Sequence, residues 1–504
     1  MTTFDSRKFS PATAPRAGRS ATAALGAAVL ALAVMPSVKA DTNFYALGVS
    51  GNQSSLSTAS HWIDQADGTV APFAPNSPSA ITVDFIVTNS FELRTMPAVP
   101  SVYGHLTVGT ENSAGIILNK VYGKTVQYES GLICVNGIYN AINQSSAGET
   151  SRARINGSVT IASPETEPFL FGNQTGNGVT IAADISGTSG TKFIMGAGYD
   201  ANGSLNSTDI RGAPMILSGD NSAYLGKIEV TSSGSAALAL GSATALGGAR
   251  DSFALDTVQI TTKNTGTLVF TNDAPAKLDT ANLGITFNGV EGGTISERTL
   301  VFDVMDGLDV ELAVPVAAYA IGFQNRKWLD VKKTGTGTLT WSGNFSTPEG
   351  VASGHLKLKV EGGRIVLASL SRIALTNELS SAVWLKTPGT EDTVLPRWTF
   401  SAGGALVVDA TNGQTPGAFV LDANGSISNA ALPLPIHLKL DNLRADCDIC
   451  ILKVPTSVKV LSAADFTDAD TPAVKASSFR IATADGIQTV RLVRGSLATV
   501  LTIH

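Results

Sequence analysis

The 504-residue chain has few of the residues that most often build catalytic sites and bulky cores. It contains three cysteines, 6% aromatic residues and 15% charged residues, against 50 glycines. Three cysteines cannot supply a disulfide framework for a chain of this length. An average globular protein has about a quarter of its residues charged. The composition therefore excludes a disulfide-based scaffold and favours an architecture rich in turns and small side chains.

The chain also lacks a long apolar run after its first forty residues, and it lacks an excess of positive charge. Every later apolar run is interrupted within about ten residues, whereas a membrane-spanning helix needs about 20. The formal net charge is −6 and the pI is near 5.5. Nucleic acids and anionic membranes are bound by clustered Lys and Arg. We therefore predict no nucleic-acid partner, and no transmembrane segment once the N-terminal segment is removed.

Residues 1–40 have the three parts of a secretory signal peptide. Four Lys and Arg residues precede the uncharged run 21–35 (ATAALGAAVLALAVM), and small residues follow up to Ala40. A membrane anchor is the alternative, but a run of about 15 residues is short for a span. The pattern predicts cleavage after Ala40, export through the general secretion pathway, and a secreted or cell-surface location.

The cysteines do not form a recognisable metal or redox site. Cys134 lies in the apolar stretch GLICVNGIY and is expected to be buried, and Cys447 and Cys450 form Cys-Asp-Ile-Cys. A redox pair would need a helix starting at the first cysteine, and a zinc site would need two further ligands, while the five histidines are scattered. A local disulfide and a pair of unreactive thiols stay open. We predict no cofactor and no metal.

The most regular stretch of the chain is 332–367. It contains three runs in which apolar and polar residues alternate, 338–342, 356–360 and 364–367, separated by glycine-containing turns. Period-two alternation predicts strands with one buried face. Strands linked by glycine turns, with almost no helix, are what a stacked β-coil needs, because each coil buries its apolar face against its neighbours.

The remainder of the chain shows the same β-rich pattern. Residues 41–100 are predicted to form an N-terminal β cap closed by Trp62, because a repeat stack needs an atypical first unit. Short β-like pieces follow through 101–440, among them 215–217 and 236–240, and 441–504 is predicted to be a C-terminal β segment. Asn-Gly turns suit a hairpin meander equally well. Periodicity alone does not decide between the two.

Two stretches resemble the two halves of the autotransporter-associated β-strand repeat, whose usual form is close to GTGTLTLSGxNxYxG. The first is GTGTLTWSG at 335–343, and the second is PMILSGDNSAYLG at 214–226. The positions that match the repeat are Gly335, Gly337, Leu339, Trp341, Gly343, Leu217, Gly219, Asn221 and Gly226. The first copy departs at Asn344, which stands one place early, and it lacks the Tyr. The second copy has one extra residue before Tyr224.

The resemblance is best over 181–250 and 331–368, and it implies a fold and a location. Members of the family are right-handed parallel β-helices exported to the cell exterior as passenger domains. The resemblance therefore implies an all-β solenoid here, for which we expect coils of roughly 20 to 25 residues. A transmembrane barrel usually follows the passenger. Residues 452–504 lack the alternating strands of about ten residues that build such a barrel, so we expect a passenger without its anchor.

Two acidic patterns could bind calcium and are better explained as turns. Asp465, Asp468 and Asp470 supply hard oxygen ligands, but they lack the nonapeptide spacing of calcium-binding β-rolls. Asp200 begins a stretch that reads like an EF-hand loop, but Arg211 stands where the bidentate Glu should be. Both patterns are predicted to be solvated turns.

The densest acidic set is VFDVMDGLDVEL, at 301–312. Asp303 and Asp306 fall on opposite strand faces, and Asp306-Gly307 reads as a turn. Only Asp309 and Glu311 are then neighbours on one face. Cleavage of a glycosidic bond needs paired carboxylates or a metal-assisted base, and this spacing does not supply a clear pair.

The sequence thus favours an exported, non-enzymatic structural or adhesive protein. Its expected partners are extracellular polysaccharide or other cell-envelope components. One alternative is a polysaccharide-acting lyase or hydrolase on the same scaffold, since a fold does not fix a function. A carbohydrate-binding module is another. Trp341 alternates with Leu339 and is predicted to point into the core, which makes it unavailable to an aromatic binding platform.

Overall fold

The computed structural model divides the chain into two compact units, Met1–Asp41 and Thr42–His504. It describes residues 43–46, 55–87, 92–94, 101–108, 117–119, 125–135, 153–172, 178–196, 214–289, 298–320, 328–346, 355–368, 383–386, 390–395, 398–400, 403–409, 415–439, 447–469 and 477–494. The predicted signal peptide lies outside the described residues. All that follows concerns the second unit.

The described residues are almost entirely β-strands. In the first half these are β1 (Asn43–Ala46), β2 (Trp62–Ile63), β3 (Asp84–Val87), β4 (Glu92–Arg94), β5 (Ser101–Val102), β6 (His105–Val108), β7 (Ile117–Asn119), β8 (Thr125–Cys134), β9 (Ala153–Ile161), β10 (Phe169–Gly172), β11 (Val179–Ile181), β12 (Asp184–Ser186), β13 (Lys192–Gly196), β14 (Met215–Leu217), β15 (Lys227–Ser232), β16 (Ala236–Leu240), β17 (Ala254–Thr262) and β18 (Thr265–Phe270).

The second half continues with β19 (Lys277–Leu278), β20 (Leu283–Gly289), β21 (Arg298–Val304), β22 (Asp309–Leu312), β23 (Val316–Ala320), β24 (Trp328–Thr334), β25 (Thr338–Trp341), β26 (Phe345–Ser346), β27 (His355–Val360), β28 (Arg364–Leu367), β29 (Val383–Lys386), β30 (Thr393–Leu395), β31 (Thr399–Phe400), β32 (Ala405–Asp409), β33 (Phe419–Leu421), β34 (Ser426–Ile427), β35 (Leu434–Lys439), β36 (Cys447–Pro455), β37 (Phe466–Asp468), β38 (Ser477–Ala484) and β39 (Ile487–Arg494). Short 3-10 helices occupy Ser55–Ser57, Ala59–His61, Pro78–Ala80, Asn429–Ala431 and Ala463–Asp465.

Four larger sheets contain most of these strands. The long sheet runs β2-β1-β3-β6-β8-β9-β11-β14-β16-β18-β21-β24-β27, with β5 and β12 attached to it. The second sheet is β10-β13-β15-β17-β20-β23-β26, the third is β19-β22-β25-β28-β29-β32-β35-β37, and the fourth is β30-β33-β36-β39-β38. Among the described strand pairs, only β1 with β2, β36 with β39 and β38 with β39 are antiparallel. The protein is therefore all-β and built mainly from parallel sheets.

From β18 to β28 the chain visits three sheets in a fixed order. β18 lies in the long sheet, β19 in the third and β20 in the second, and the next two groups of three strands repeat that order. Each new strand pairs in parallel with the strand of the preceding pass. Hydrogen bonds between neighbouring passes join residues 30 or 31 positions apart. These passes are longer than the predicted 20 to 25 residues, because three strands and their connections must fit into each one.

The core lies between the sheets and is filled by columns of inward-facing side chains. In the long sheet one column runs Leu268, Phe302, Lys333 and Val360 on successive passes, and all four are buried. Parallel sheets covered on both faces place like residues at like positions. The apolar members of this column follow that rule, whereas the lysine does not.

The two ends of the parallel stack are antiparallel. At the N-terminal end β2 pairs with β1, and the ring of Trp62 packs edge-on against Phe85 with centroids 5.0 Å apart. Trp62 is fully buried, as the sequence predicted. At the C-terminal end β38 and β39 form a hairpin whose turn residues Asp485 and Gly486 have φ of 52° and 74°. An antiparallel strand changes the hydrogen-bonding pattern of the exposed edge, which limits pairing with another chain.

Candidate functional site

The segment 214–226, predicted to be half of a repeat, joins three passes of the chain. β14 buries Leu217 in the core. The buried Asn221 side chain accepts a hydrogen bond from the Ile185 backbone N–H at 3.0 Å through Oδ1. Its Nδ2 donates to the Ala245 carbonyl oxygen at 2.9 Å on the following pass. Asn221 therefore satisfies backbone groups that the turns would otherwise leave buried and unpaired.

Tyr224 completes this segment from the inside. Its hydroxyl donates to the Lys227 carbonyl oxygen at 2.7 Å, and its ring lies 5.2 Å from that of Phe193. Burial raises the pKa of the Tyr224 hydroxyl well above its ordinary value. The residue is thus a neutral hydrogen-bond donor that fixes a turn.

The five glycines that matched the repeat lie where neighbouring passes approach most closely. A Cβ on Gly219 would stand 2.0 Å from the Ala183 carbonyl oxygen, and one on Gly335 would stand 2.1 Å from that of Val304. Gly335 also has φ of 70°. The corresponding contacts of Gly226, Gly337 and Gly343 are at 2.4, 2.3 and 2.1 Å, with the backbone oxygens of Thr191, Met305 and Val314. A side chain at these positions would push the passes apart.

The second matching stretch, 335–343, places Leu339 and Trp341 on the inward face of β25. Trp341 is 1% exposed and packs edge-on against Phe302 and Phe345, with centroids 5.1 and 5.4 Å apart. The prediction that Trp341 points into the core is confirmed. Its indole N–H is buried without a hydrogen-bond partner among the described residues, so the ring contributes through packing alone.

The acidic set at 301–312 is engaged by hydroxyl groups of the next pass. Asp303 accepts from Thr334 Oγ1 at 3.0 Å, Asp306 from Thr336 Oγ1 at 2.7 Å, and Glu311 from Ser342 Oγ at 2.7 Å. Asp306 and Gly307 form the predicted turn, and Gly307 has φ of 73°. The carboxylates are thus distributed along one side of the stack, each with its own hydroxyl, and they do not converge on a common point.

The two candidate calcium patterns have different outcomes. Asp465 accepts hydrogen bonds from the Ser462 N–H at 2.7 Å and from the Ser462 hydroxyl at 3.0 Å, which closes a capping box on a 3-10 helix. Asp468 lies on β37, and Asp470 lies outside the described residues, as does the stretch from Asp200 to Arg211. Within the described part of the chain, no cluster of three or more His, Cys, Asp or Glu residues could hold a metal ion.

The cysteines are thiols where the structure describes them. Cys134 is fully buried, as predicted, and burial raises the pKa of its thiol well above the ordinary value. The Cys450 thiol is free, so it is not bridged to Cys447. Of the two alternatives left open for the Cys-Asp-Ile-Cys stretch, the local disulfide is excluded.

An ion-pair network on the second sheet was not predicted from the sequence. Lys227 Nζ lies 2.9 Å from Glu165 Oε2 and 3.0 Å from Asp256 Oδ2. Lys192 Nζ lies 2.6 Å from Glu229 Oε2. The partners come from different passes, so no local spacing in the sequence signals the network.

The network has the chemistry of a structural ion-pair set. Burial works to lower the pKa of Lys227, but its hydrogen bonds to Glu165 and Asp256 outweigh burial, and the pKa of Lys227 is raised. A general base works best when its pKa is near the working pH. Lys227 is therefore held as an ammonium ion, which suits charge pairing and does not suit proton abstraction.

Two buried cations were also not predicted. Lys333 and Arg250 each donate hydrogen bonds to three backbone carbonyl oxygens near glycine turns. Desolvation lowers the pKa of Lys333 to about 8 and that of Arg250 to about 10. Sequence patterns place Lys at strand surfaces, so Lys333 gave no sign of its inward position.

These observations define an all-β protein with parallel sheets, in which the matched repeat positions serve packing and turn geometry. No helix among the described residues is long and apolar enough to cross a membrane. In comparisons with known proteins, no family model, curated protein or solved structure matches the chain.

Proposed function

We propose that the chain is an exported structural or adhesive protein whose second unit is a right-handed parallel β-helix of the autotransporter-passenger kind. The observation that carries the proposal is the order in which the chain visits its sheets. Three successive passes place one strand each in the long, third and second sheets and then return to the long sheet. A solenoid is built in this way, since each repeat contacts only its neighbours.

The repeat positions give the proposal a second line of support. Gly219 and Gly335 occupy close approaches between passes, and Asn221 bridges the passes on either side of it. These are structural demands that a stack of coils imposes and a meander of hairpins does not. Trp341 takes the place of the usual Leu in the repeat and is accommodated by packing between two phenylalanine rings.

The non-enzymatic part of the proposal rests on the state of the charged groups. Glu311, on the same strand as Asp309, accepts a hydrogen bond from Ser342, and the ammonium of Lys227 is shared between two carboxylates. Groups engaged in this way give the stack a polar flank suited to contact with polysaccharide or other cell-envelope components. Extended flanks of repeat proteins commonly serve as binding or spacer surfaces.

Disulfide cross-linking tests the solenoid. Asp309, Thr338 and Arg364 occupy one column of the third sheet on successive passes. In a background with the native cysteines replaced by alanine, D309C/T338C should form a disulfide, because neighbouring strands lie about 4.8 Å apart. The control D309C/R364C spans two passes, about 10 Å, and should not. Equal cross-linking of both pairs would refute the stacking.

Mass spectrometry of protein from the native cell tests export. We expect a mature N-terminus directly after Ala40, in a secreted or surface fraction. A cytoplasmic protein that still begins at Met1 would overturn this part of the proposal.

Assays for lyase and hydrolase activity on acidic and neutral polysaccharides test the enzymatic alternative. We expect no turnover. Turnover that is abolished by D309N or E311Q would replace the non-enzymatic proposal with an enzyme on the same scaffold.

A further inference from the structure

Lys333 occupies a core position on β24. On the neighbouring strands of the long sheet its register partners are Phe302 and Val360, and its side chain is 0% exposed. The preceding residue, Lys332, is partly exposed and pairs with Glu361 at 3.3 Å. Two consecutive lysines thus meet opposite environments, and a buried ammonium needs compensation for its lost hydration.

That compensation comes from backbone carbonyl groups of two successive turns. Lys333 Nζ donates to the carbonyl oxygens of Thr334 at 2.5 Å and Gly335 at 2.8 Å, in the turn after β24. It also donates to the carbonyl oxygen of Gly362 at 3.1 Å, in the turn after β27. An ammonium group has three N–H donors and no acceptor, so the number of donors matches the number of carbonyl groups.

From this geometry we infer that the Lys333 ammonium is an internal clasp, which ties the turn at 334–335 to the turn at 361–363. The clasp acts at a particular place, because β27 is the last strand of the long sheet. β27 has a strand partner on one side only in that sheet, so the clasp supplies part of the attachment that a further strand would otherwise give. The inference concerns the fold of the second unit and does not depend on where the protein acts.

Arg250 shows the same arrangement in another part of the chain. Its guanidinium donates to the carbonyl oxygens of Gly248 at 2.6 Å and Leu246 at 2.8 Å, and to that of Gly226 at 3.2 Å on the preceding pass. Glycine turns from successive passes bring carbonyl groups together without side chains between them. A buried cation at that point satisfies carbonyl groups of both passes, and the chain uses Lys in one instance and Arg in the other.

Hydrogen exchange measured by mass spectrometry on K333M tests the clasp. Methionine keeps an unbranched apolar side chain of similar length and removes the three donors, and K332M is the matched control on the neighbouring residue. We expect exchange in 355–363 to become about tenfold faster or more in K333M, since hydrogen bonds to a charged group contribute that much, while 215–240 is unchanged. Exchange in K333M equal to that in K332M would overturn the inference.

A second measurement uses the native chain and does not depend on the folding of a variant. Reductive methylation of lysines, followed by peptide mass spectrometry, reports how often each ammonium leaves its site. We expect modification of Lys333 to be about tenfold slower or more than that of Lys332, because the three hydrogen bonds must break first. Equal rates at the two lysines would contradict the clasp.

Discussion

The Asn221 side-chain amide donates to the carbonyl oxygen of Ala245 at 2.9 Å, and this bond joins one pass of the chain to the next. The same side chain accepts from the Ile185 N–H on the pass before. One buried residue thus replaces two solvent hydrogen bonds that the turns lose on folding. An unpaired buried backbone group costs about 1–3 kcal/mol, so Asn221 is worth more than its packing area indicates.

Replacing Asn221 with Ala should reduce the free energy of unfolding by about 2–4 kcal/mol, because it orphans a buried donor and a buried acceptor. Equilibrium urea unfolding measures the loss. Asn424→Ala, at an exposed turn position, is the control and should change stability by less than about 0.5 kcal/mol. A loss for Asn221→Ala no larger than that of the control would contradict the bridging role.

Alanine at Gly219 should destabilise the protein by about 1–3 kcal/mol. The added methyl group meets the Ala183 carbonyl oxygen at 2.0 Å, and overpacking forces the backbone to shift. Gly190 is a matched control, because a Cβ there meets nothing within 4 Å. Thermal unfolding should place Gly190→Ala within error of the native protein and Gly219→Ala clearly below it. Similar melting temperatures for the two variants would show that close approach is not the reason for the glycine.

Much of the strand pattern follows from the sequence. The predicted runs 338–342 and 364–367 correspond to β25 and β28, and 215–217 and 236–240 are β14 and β16. These strands are predictable because alternation and glycine turns are local signals, set by which face is buried. The same locality explains why the burial of Trp341 was correctly predicted.

The contacts between passes could not be predicted in the same way. The partners of Lys227 and Lys333 come from other passes, and the number of residues in a pass depends on irregular connections. The estimate of 20 to 25 residues per pass was too short for that reason. The inward position of Lys333 was missed because alternation assigns Lys to the wet face, whereas carbonyl groups from two turns here replace water around its ammonium.

Truncation of Trp341 to Ala should cost about 3–5 kcal/mol, since a large buried ring leaves a cavity between Phe302 and Phe345. Trp341→Phe is the informative companion. The indole N–H has no described partner, so the Phe variant loses volume but no hydrogen bond and should cost less than about 1.5 kcal/mol. In a variant whose only tryptophan is Trp341, acrylamide should quench the fluorescence poorly. Efficient quenching would mean that the strand register is wrong.

The stability of the protein should depend on pH through Lys333. Desolvation lowers the folded-state pKa of Lys333 to about 8, against 10.5 for the free side chain, and the nearby Asp303 carboxylate opposes that shift. Between these two values the unfolded chain binds the proton more tightly than the folded chain. Stability therefore rises with pH across this window, and the cost of the buried charge is fully present below pH 8.

Comparison with K333M isolates this contribution, because every other ionisable group is common to both proteins. The free energy of unfolding of the native protein minus that of K333M should increase between pH 8 and 10.5, by about 3 kcal/mol at most. Lys332 pairs with Glu361 near the surface, so K332M should not produce this rise. Urea unfolding at intervals of half a pH unit measures it. A difference that stays flat, or falls, across the window would mean that hydrogen bonds to the three carbonyl groups outweigh desolvation and keep Lys333 fully charged.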